Sequence, residues 1–189
     1  HISFLDSVFT MVHAGRQISF VGKAEYMDSW KTKYLFPALG MIPIDRSGGS
    51  KSEGALIAAE TVLRRGELFG IFPEGTISKS FEIKDLKSGA IRLAMGSDVP
   101  VIPAVIWGSQ RIWTKGVRRD LRRKKVPIYV TFGEPLHFEK GSDVEAGEKI
   151  LREKLIALLH EVQESYPDSH IGQRWAPLRL GGTAPAPLN

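Results

Sequence analysis

Apolar positions along the chain switch between a helical and an extended period, and the switches divide it into short elements. Leu5, Val8, Phe9 and Val12 recur at helical spacing, which predicts a short helix running to Ala14 and stopping at Gly15. Apolar runs at 18–21, 68–72, 99–106 and 128–132 read as strands, and 41–44 as a brief extended segment with Pro43 near an edge. Between them fall a helical passage at 34–39 and a helix through Leu56, Ala59, Val62 and Leu63, opened by Ser50 or Ser52 and closed by Gly66. A further helix is predicted at 88–95. A long one opens at Ser142 and Asp143, with Ile150, Leu151, Leu155, Leu158, Leu159 and Val162 on its inner side. Strands alternating with helices predict an α/β fold, a central mixed and largely parallel sheet flanked by helices, in a single domain over residues 1–164. Residues 165–189 are rich in proline and glycine, and a flexible tail is expected there.

Composition narrows the function classes. At 189 residues and 42% hydrophobic, the chain can build one sizeable core. It has no cysteine, which excludes disulfides, thiolate metal sites and a cysteine acyl intermediate, and suits a reducing compartment. The longest apolar run, 99–107, contains two prolines and is far shorter than the ~20 residues of a membrane-spanning helix. The chain opens on His1 rather than Met, so a fragment or processed form is expected, whose upstream part has room for an anchor or targeting segment. A net charge of +5 points to an anionic partner. Eight cations lie between Arg111 and Lys125 against one acid, Asp120.

The candidate chemistry begins with His1-Ile2-Ser3-Phe4-Leu5-Asp6. Residues five apart do not share a helix face, so His1 is expected outside the helix, with Ser3 as N-cap and Asp6 in the acidic place of a capping box. His1 can then fold back onto the Asp6 carboxylate, which fixes one ring nitrogen as donor and leaves the other as a base. The competing reading is a plain helix cap beside a surface histidine. The loops at 45–46 and 74–76 follow strands, at the ends where ligands gather in open α/β sheets.

Four stretches taken together resemble the 1-acylglycerol-3-phosphate acyltransferase (lysophosphatidic acid acyltransferase) family of glycerolipid acyltransferases. They are His1-Ile2-Ser3-Phe4-Leu5-Asp6, Gly40-Met41-Ile42-Pro43-Ile44-Asp45-Arg46, Phe72-Pro73-Glu74-Gly75-Thr76 and Val99-Pro100-Val101-Ile102-Pro103-Ala104. Lys87-Ser88-Gly89-Ala90 sits where the family has a similar lysine and glycine. The resemblance implies transfer of an acyl group from acyl-CoA or acyl carrier protein to the hydroxyl of a lysophospholipid, most directly lysophosphatidic acid. It implies His1 as general base held by Asp6; no cofactor is expected, and no metal, because the five histidines are scattered and His13 alone lies near His1. An oxyanion would meet the backbone N–H groups of Gly75 and Thr76. Arg46 is the expected phosphate ligand, because guanidinium offers a planar fork of donors. Lys87 and Lys84 can add charge, and Glu74 either holds Arg46 or a lysine, binds glycerol hydroxyls, or stabilises its own turn.

Ile77 departs from the family pattern, which has an arginine or another polar residue there, and this opens the acceptor to another lysolipid or a glycolipid. A non-catalytic lipid-binding domain is the alternative of a different class. Residues 99–103 read as a buried strand in preference to an acyl channel. The basic stretch, with Trp107 and Trp113 beside it, suits a membrane surface, CoA phosphates or an acidic carrier protein. Nucleic acid is not expected, since stacking aromatics are not interleaved with the charges. The expected location is the cytoplasmic face of a membrane, peripherally bound.

Overall fold

The computed structural model describes residues 1–23, 40–44, 53–120, 122 and 125–187. The predicted passage at 34–39 and the loop holding Asp45 and Arg46 lie outside these residues, as do Ser50 and Ser52.

Strand β1 (Ile18–Lys23) is the centre of a parallel ladder between β2 (Met41–Ile44) and β3 (Leu68–Gly70). The register places Phe20 beside Met41 on one side and Gly70 on the other. A Cβ on Gly70 would lie 2.2 Å from the Phe20 ring, so only glycine lets the two strands close at this point. Helix α1 (Asp6–Ala14) precedes β1, and α2 (Glu53–Arg64) lies between β2 and β3 in sequence. β3 is shorter than its apolar run, and Ile71 and Phe72 turn to line a cavity.

A second ladder pairs β4 (Ala104–Trp107) with β5 (Tyr129–Phe132) in antiparallel fashion. The extended run expected from 99 contributes a single bridge, Val101 to Leu136, before β4 begins. Pro100 and Pro103 explain the late start, because each removes a backbone donor from the ladder. The described strands therefore form two hydrogen-bonded ladders, one parallel and one antiparallel, with a cavity between them, where one mixed sheet was expected.

Helices α3 (Gly89–Ser97) and α4 (Val144–Glu164) cover the second ladder and the core. The Asp143 side chain accepts from the Glu145 N–H at 2.9 Å, which fixes the start of α4 where the sequence placed it. Leu151, Leu155 and Leu159 then fall on one stripe, four residues apart, against Ile91 and Trp107.

The expected flexible tail is corrected by the structure over residues 165–187. Trp107 is fully buried, and Tyr166, His170 and Trp175 pack around its ring. Tyr166 donates its hydroxyl to the Pro127 carbonyl at 2.8 Å, and Ala184 reaches the core. The prolines and glycines serve turns within this folded segment: a Cβ on Gly182 would lie 2.1 Å from the Ala176 carbonyl oxygen. Composition alone missed that a tryptophan elsewhere needed this cover.

Two outcomes follow from the packed tail. Truncation after Asp168 removes part of the cover of Trp107 and is expected to lower the unfolding free energy by about 2–4 kcal/mol in urea titration, the scale of one or two core side chains. His170 also has a depressed pKa, first through burial and then through the charges of Arg179 and Arg111. The unfolded chain then takes up the proton first, so stability present above about pH 6.5 is lost as pH falls below it. Thermal melts at descending pH should show a larger loss in the parent than in His170→Gln.

Candidate active site

The site is built on the turn before α1. Asp6 is fully buried, and a carboxylate removed from water is costly unless its oxygens are hydrogen-bonded. Oδ2 accepts from His1 Nδ1 at 2.8 Å, from the Ile2 N–H at 2.8 Å and from the Ser3 N–H at 2.9 Å. Oδ1 accepts from the Ser109 hydroxyl at 2.7 Å. Burial pushes the Asp6 carboxyl up from its ordinary range, while the Ser109 hydroxyl and the amides of Ile2 and Ser3 pull it back down.

His1 and Asp6 thus meet as the spacing suggested. The cap differs in detail: α1 begins at Asp6, with Leu5 in the cap position, and no side chain caps it there. Ser3 instead accepts from the Leu5 N–H at 3.1 Å and donates to the Trp113 carbonyl at 2.6 Å. The reach of Asp6 back to the Ser3 N–H is the half of the capping box that survives.

The imidazole is held on two sides. Its ring stacks on Phe72, with centroids 3.9 Å apart and planes 18° from parallel, and Phe72 stacks in turn near Phe20 at 5.4 Å. With Nδ1 donating to the carboxylate, Nε2 is the nitrogen left to take a proton. Residue 78 adds a backbone tie, its N–H donating to the His1 carbonyl at 2.8 Å.

The Phe72-Pro73-Glu74-Gly75-Thr76 turn meets this pair. Glu74 is buried; Oε1 accepts from the His1 main-chain nitrogen and Oε2 from the Lys84 N–H at 3.0 Å. It therefore joins the start of the His1 turn to the backbone at Lys84. Its side chain also lines the cavity.

Gly75 takes a φ of +67°, and its N–H donates to the Phe72 carbonyl at 3.0 Å. That donor closes the turn, which removes it from the expected oxyanion pair. The Thr76 N–H makes no hydrogen bond among the described residues. Lys87 lies across Gly75, where an added Cβ would stand 2.9 Å from its Nζ, so its cation stands beside the turn. Ile77 is buried, which explains the departure from a polar residue: the side chain here points inward. Arg46 lies outside the described residues.

The site opens on a cavity of about 650 Å³ between the two ladders, lined by His1 and Asp6 and by apolar side chains including Phe20, Leu93, Val101 and Leu155. Its size suits a ligand with a long apolar part. Residues 99–103 line it throughout, so the stretch is a cavity wall more than a strand. Among the described residues, no three His, Cys, Asp or Glu side chains come together to hold a metal ion. Among them too, no helix is long and apolar enough to cross a membrane.

Ser109 is a side chain of this site that the residue pattern did not reveal. It is fully buried after β4, where Gly108 turns the chain at φ +98° with the Pro127 carbonyl too close for any Cβ. The available signal was its place just past the carboxyl end of a buried strand, where sites collect. Thr114 was missed as well; its hydroxyl donates to the Ile2 carbonyl at 2.6 Å and steadies the turn.

The chain is 28% identical over 165 residues to a probable 1-acyl-sn-glycerol-3-phosphate acyltransferase of Mycoplasma pneumoniae, covering 81% of this chain and 62% of that protein. It is 32% identical over 145 residues to a 1-acyl-sn-glycerol-3-phosphate acyltransferase of Limnanthes douglasii, covering 72% and 48% respectively. The fold matches the crystal structure of the 1-acyl-sn-glycerophosphate acyltransferase PlsC from Thermotoga maritima with a TM-score of 0.71 at 24% identity, over 89% of this chain and 66% of that one. The chain thus spans less than two thirds of the length of each of these relatives. The family model described as Acyltransferase matches residues 1–107, more than half of the chain, from the His1 turn through the Glu74 turn to the end of β4. The chain belongs to the acyltransferase family.

Proposed function

We propose that the chain transfers a fatty acyl group from a thioester, acyl-CoA or acyl carrier protein, to the free hydroxyl of a lysophospholipid, with lysophosphatidic acid as the leading acceptor. The observation that carries this reading is the His1 Nδ1 to Asp6 Oδ2 bond at the wall of a large apolar cavity. The names of the curated relatives support the choice of acceptor.

An alcohol attacks a thioester slowly until a base takes its proton. His1 Nε2 takes that proton as the hydroxyl oxygen bonds to the carbonyl carbon, and Asp6 stabilises the imidazolium that forms. The carbon–sulfur bond then breaks, the ester carbonyl re-forms, and the departing thiolate receives the proton from His1. The acceptor oxygen is the nucleophile, so the enzyme needs no covalent intermediate, in keeping with a chain without cysteine. The Thr76 N–H is the donor we assign to the developing oxyanion, with Lys87 supplying positive charge beside it. The acyl chain occupies the apolar cavity. We assign the reaction to a membrane surface, at its cytoplasmic face, because its acceptor is a lipid.

The direct test is release of CoA from a long-chain acyl-CoA, read with a thiol reagent, with lysophosphatidic acid, other lysolipids or no acceptor. Release that depends on lysophosphatidic acid and falls about 10²–10⁴-fold in His1→Ala is the expected result. Release with a different acceptor keeps the chemistry and moves the assignment to another lysolipid or a glycolipid. No release with either donor type overturns the enzymatic reading in favour of a binding domain.

Ser109 acts through Asp6 as a positioning residue. Ser109→Ala is expected to lower kcat by about tenfold, the scale of one hydrogen bond to a charged group, with KM little changed. Ser109→Thr should recover most of the loss. A purely structural role would instead appear as a lower Tm with unchanged kcat in the folded fraction.

A further inference from the structure

Beside the catalytic turn lies a surface that the chemistry above does not use. Phe4 and Trp113 are 45% and 37% exposed, and their rings pack together with centroids 5.0 Å apart. Val117, 47% exposed, follows in the same loop. Lys115, Arg118 and Arg119 are exposed around them, and none pairs with a carboxylate among the described residues. Arg122 differs, being held by Asp120 through bonds of 2.8 and 2.6 Å. Arg119 stands over the Trp113 ring at 5.9 Å. Lys79 approaches the loop from the other side, its Cε 3.7 Å from where a Cβ on Gly116 would be.

The aromatic pair is fixed in its outward position. The Phe4 N–H donates to the Trp113 carbonyl at 3.2 Å, Ser3 donates to the same carbonyl, and Thr114 is buried against Ile2. The backbone on both sides of the pair is therefore tied into the turn that carries His1 and Asp6. Trp107, the other tryptophan near the basic stretch, is fully buried and takes no part.

We infer that this face docks the protein on an anionic lipid bilayer, with Phe4, Trp113 and Val117 entering the headgroup level and Lys115, Arg118 and Arg119 meeting acidic headgroups. Tryptophan favours that level of a membrane, and each cation near an anionic surface strengthens partitioning by roughly fivefold. Exposed apolar side chains rimmed by exposed cations complement such a surface in both polarity and charge. A single-stranded nucleic acid fits worse: Arg119 stands over the Trp113 ring and Phe4 packs beside it at a tilt, both competing with a stacked base. This inference deepens the acyl-transfer reading, on which it rests only in giving the lipid acceptor a route to His1.

The test is co-sedimentation of the purified chain with phosphatidylcholine vesicles, alone or with about 30% phosphatidylglycerol. The expected result is partitioning onto the anionic vesicles that weakens with salt, with a blue shift of tryptophan fluorescence that Trp113→Phe abolishes. The doubly exposed variant Arg118→Glu/Arg119→Glu should bind at least tenfold more weakly while keeping its Tm and its turnover of detergent-dispersed substrate. Equal binding by this variant, or no binding by the parent, overturns the inference. Loss of affinity for an acidic acyl carrier protein, with vesicle binding unchanged, also overturns it and gives the face to a protein partner. Vesicle binding by a chain that turns over no thioester would leave the docking face standing and sink the acyl-transfer reading instead.

Discussion

A carboxylate with no access to water is the constraint on which the active-site half of the structure depends. Asp6 is buried with four donors around its two oxygens, and three of these come from the five residues before it. The fourth, Ser109, arrives from the far end of β4. Leaving such a group unpaired costs several kcal/mol, so the turn, α1 and the segment after β4 are held in one arrangement. The imidazole is one of the groups that satisfy this carboxylate, and its orientation follows from the same requirement. Stacking on Phe72 then fixes its plane.

The split sheet gives this pair something to act on. Had β3 and β4 been hydrogen-bonded neighbours, the space between the ladders would be closed. Instead β3 ends at Gly70, and the prolines at 100 and 103 delay β4, so residues 71–72 and 99–103 become walls. Backbone polar groups in these walls are tied only at intervals, as in the Val101 bridge to residue 136. The resulting cavity is predominantly apolar, and the polar pair at its wall is where a reacting carbonyl and hydroxyl can meet. The same local sequence that spoils a strand thus makes room for a substrate.

What could be read from the sequence was mostly what is local. The His1–Asp6 pair, the glycine turn after Phe72, the Asp143 cap and the alternation of strands and helices all depend on spacings of a few residues, and these emerged in place. The oxyanion assignment at Gly75 failed because a turn's own closing bond, to the Phe72 carbonyl, cannot be seen in residue types. Ser109 and Thr114 escaped because their partners lie more than one hundred residues away. The folded tail escaped for a related reason: a run of proline and glycine looks unstructured until the ring of Trp107, which needs covering, is known to lie beneath it. Ile77 was legible as a departure from a family pattern, and its burial supplies the physical cause.

These distant contacts converge on residues 107–114. Trp107 goes inward and is covered by the tail; Ser109 reaches Asp6; the Trp113 carbonyl and the Thr114 hydroxyl fasten the turn that bears His1. Arg111, between them, bonds the Tyr166 hydroxyl at 2.9 Å and lies over the Trp175 ring at 4.5 Å. One eight-residue segment therefore ties the core, the C-terminal cover and the His1–Asp6 turn together. Displacement of any of the three would be felt by the Asp6 carboxylate, which has no solvent to replace a lost donor. That coupling explains why the tail folds with the chain: its packing on Trp107 and Arg111 supports the segment from which the buried charge takes its fourth bond.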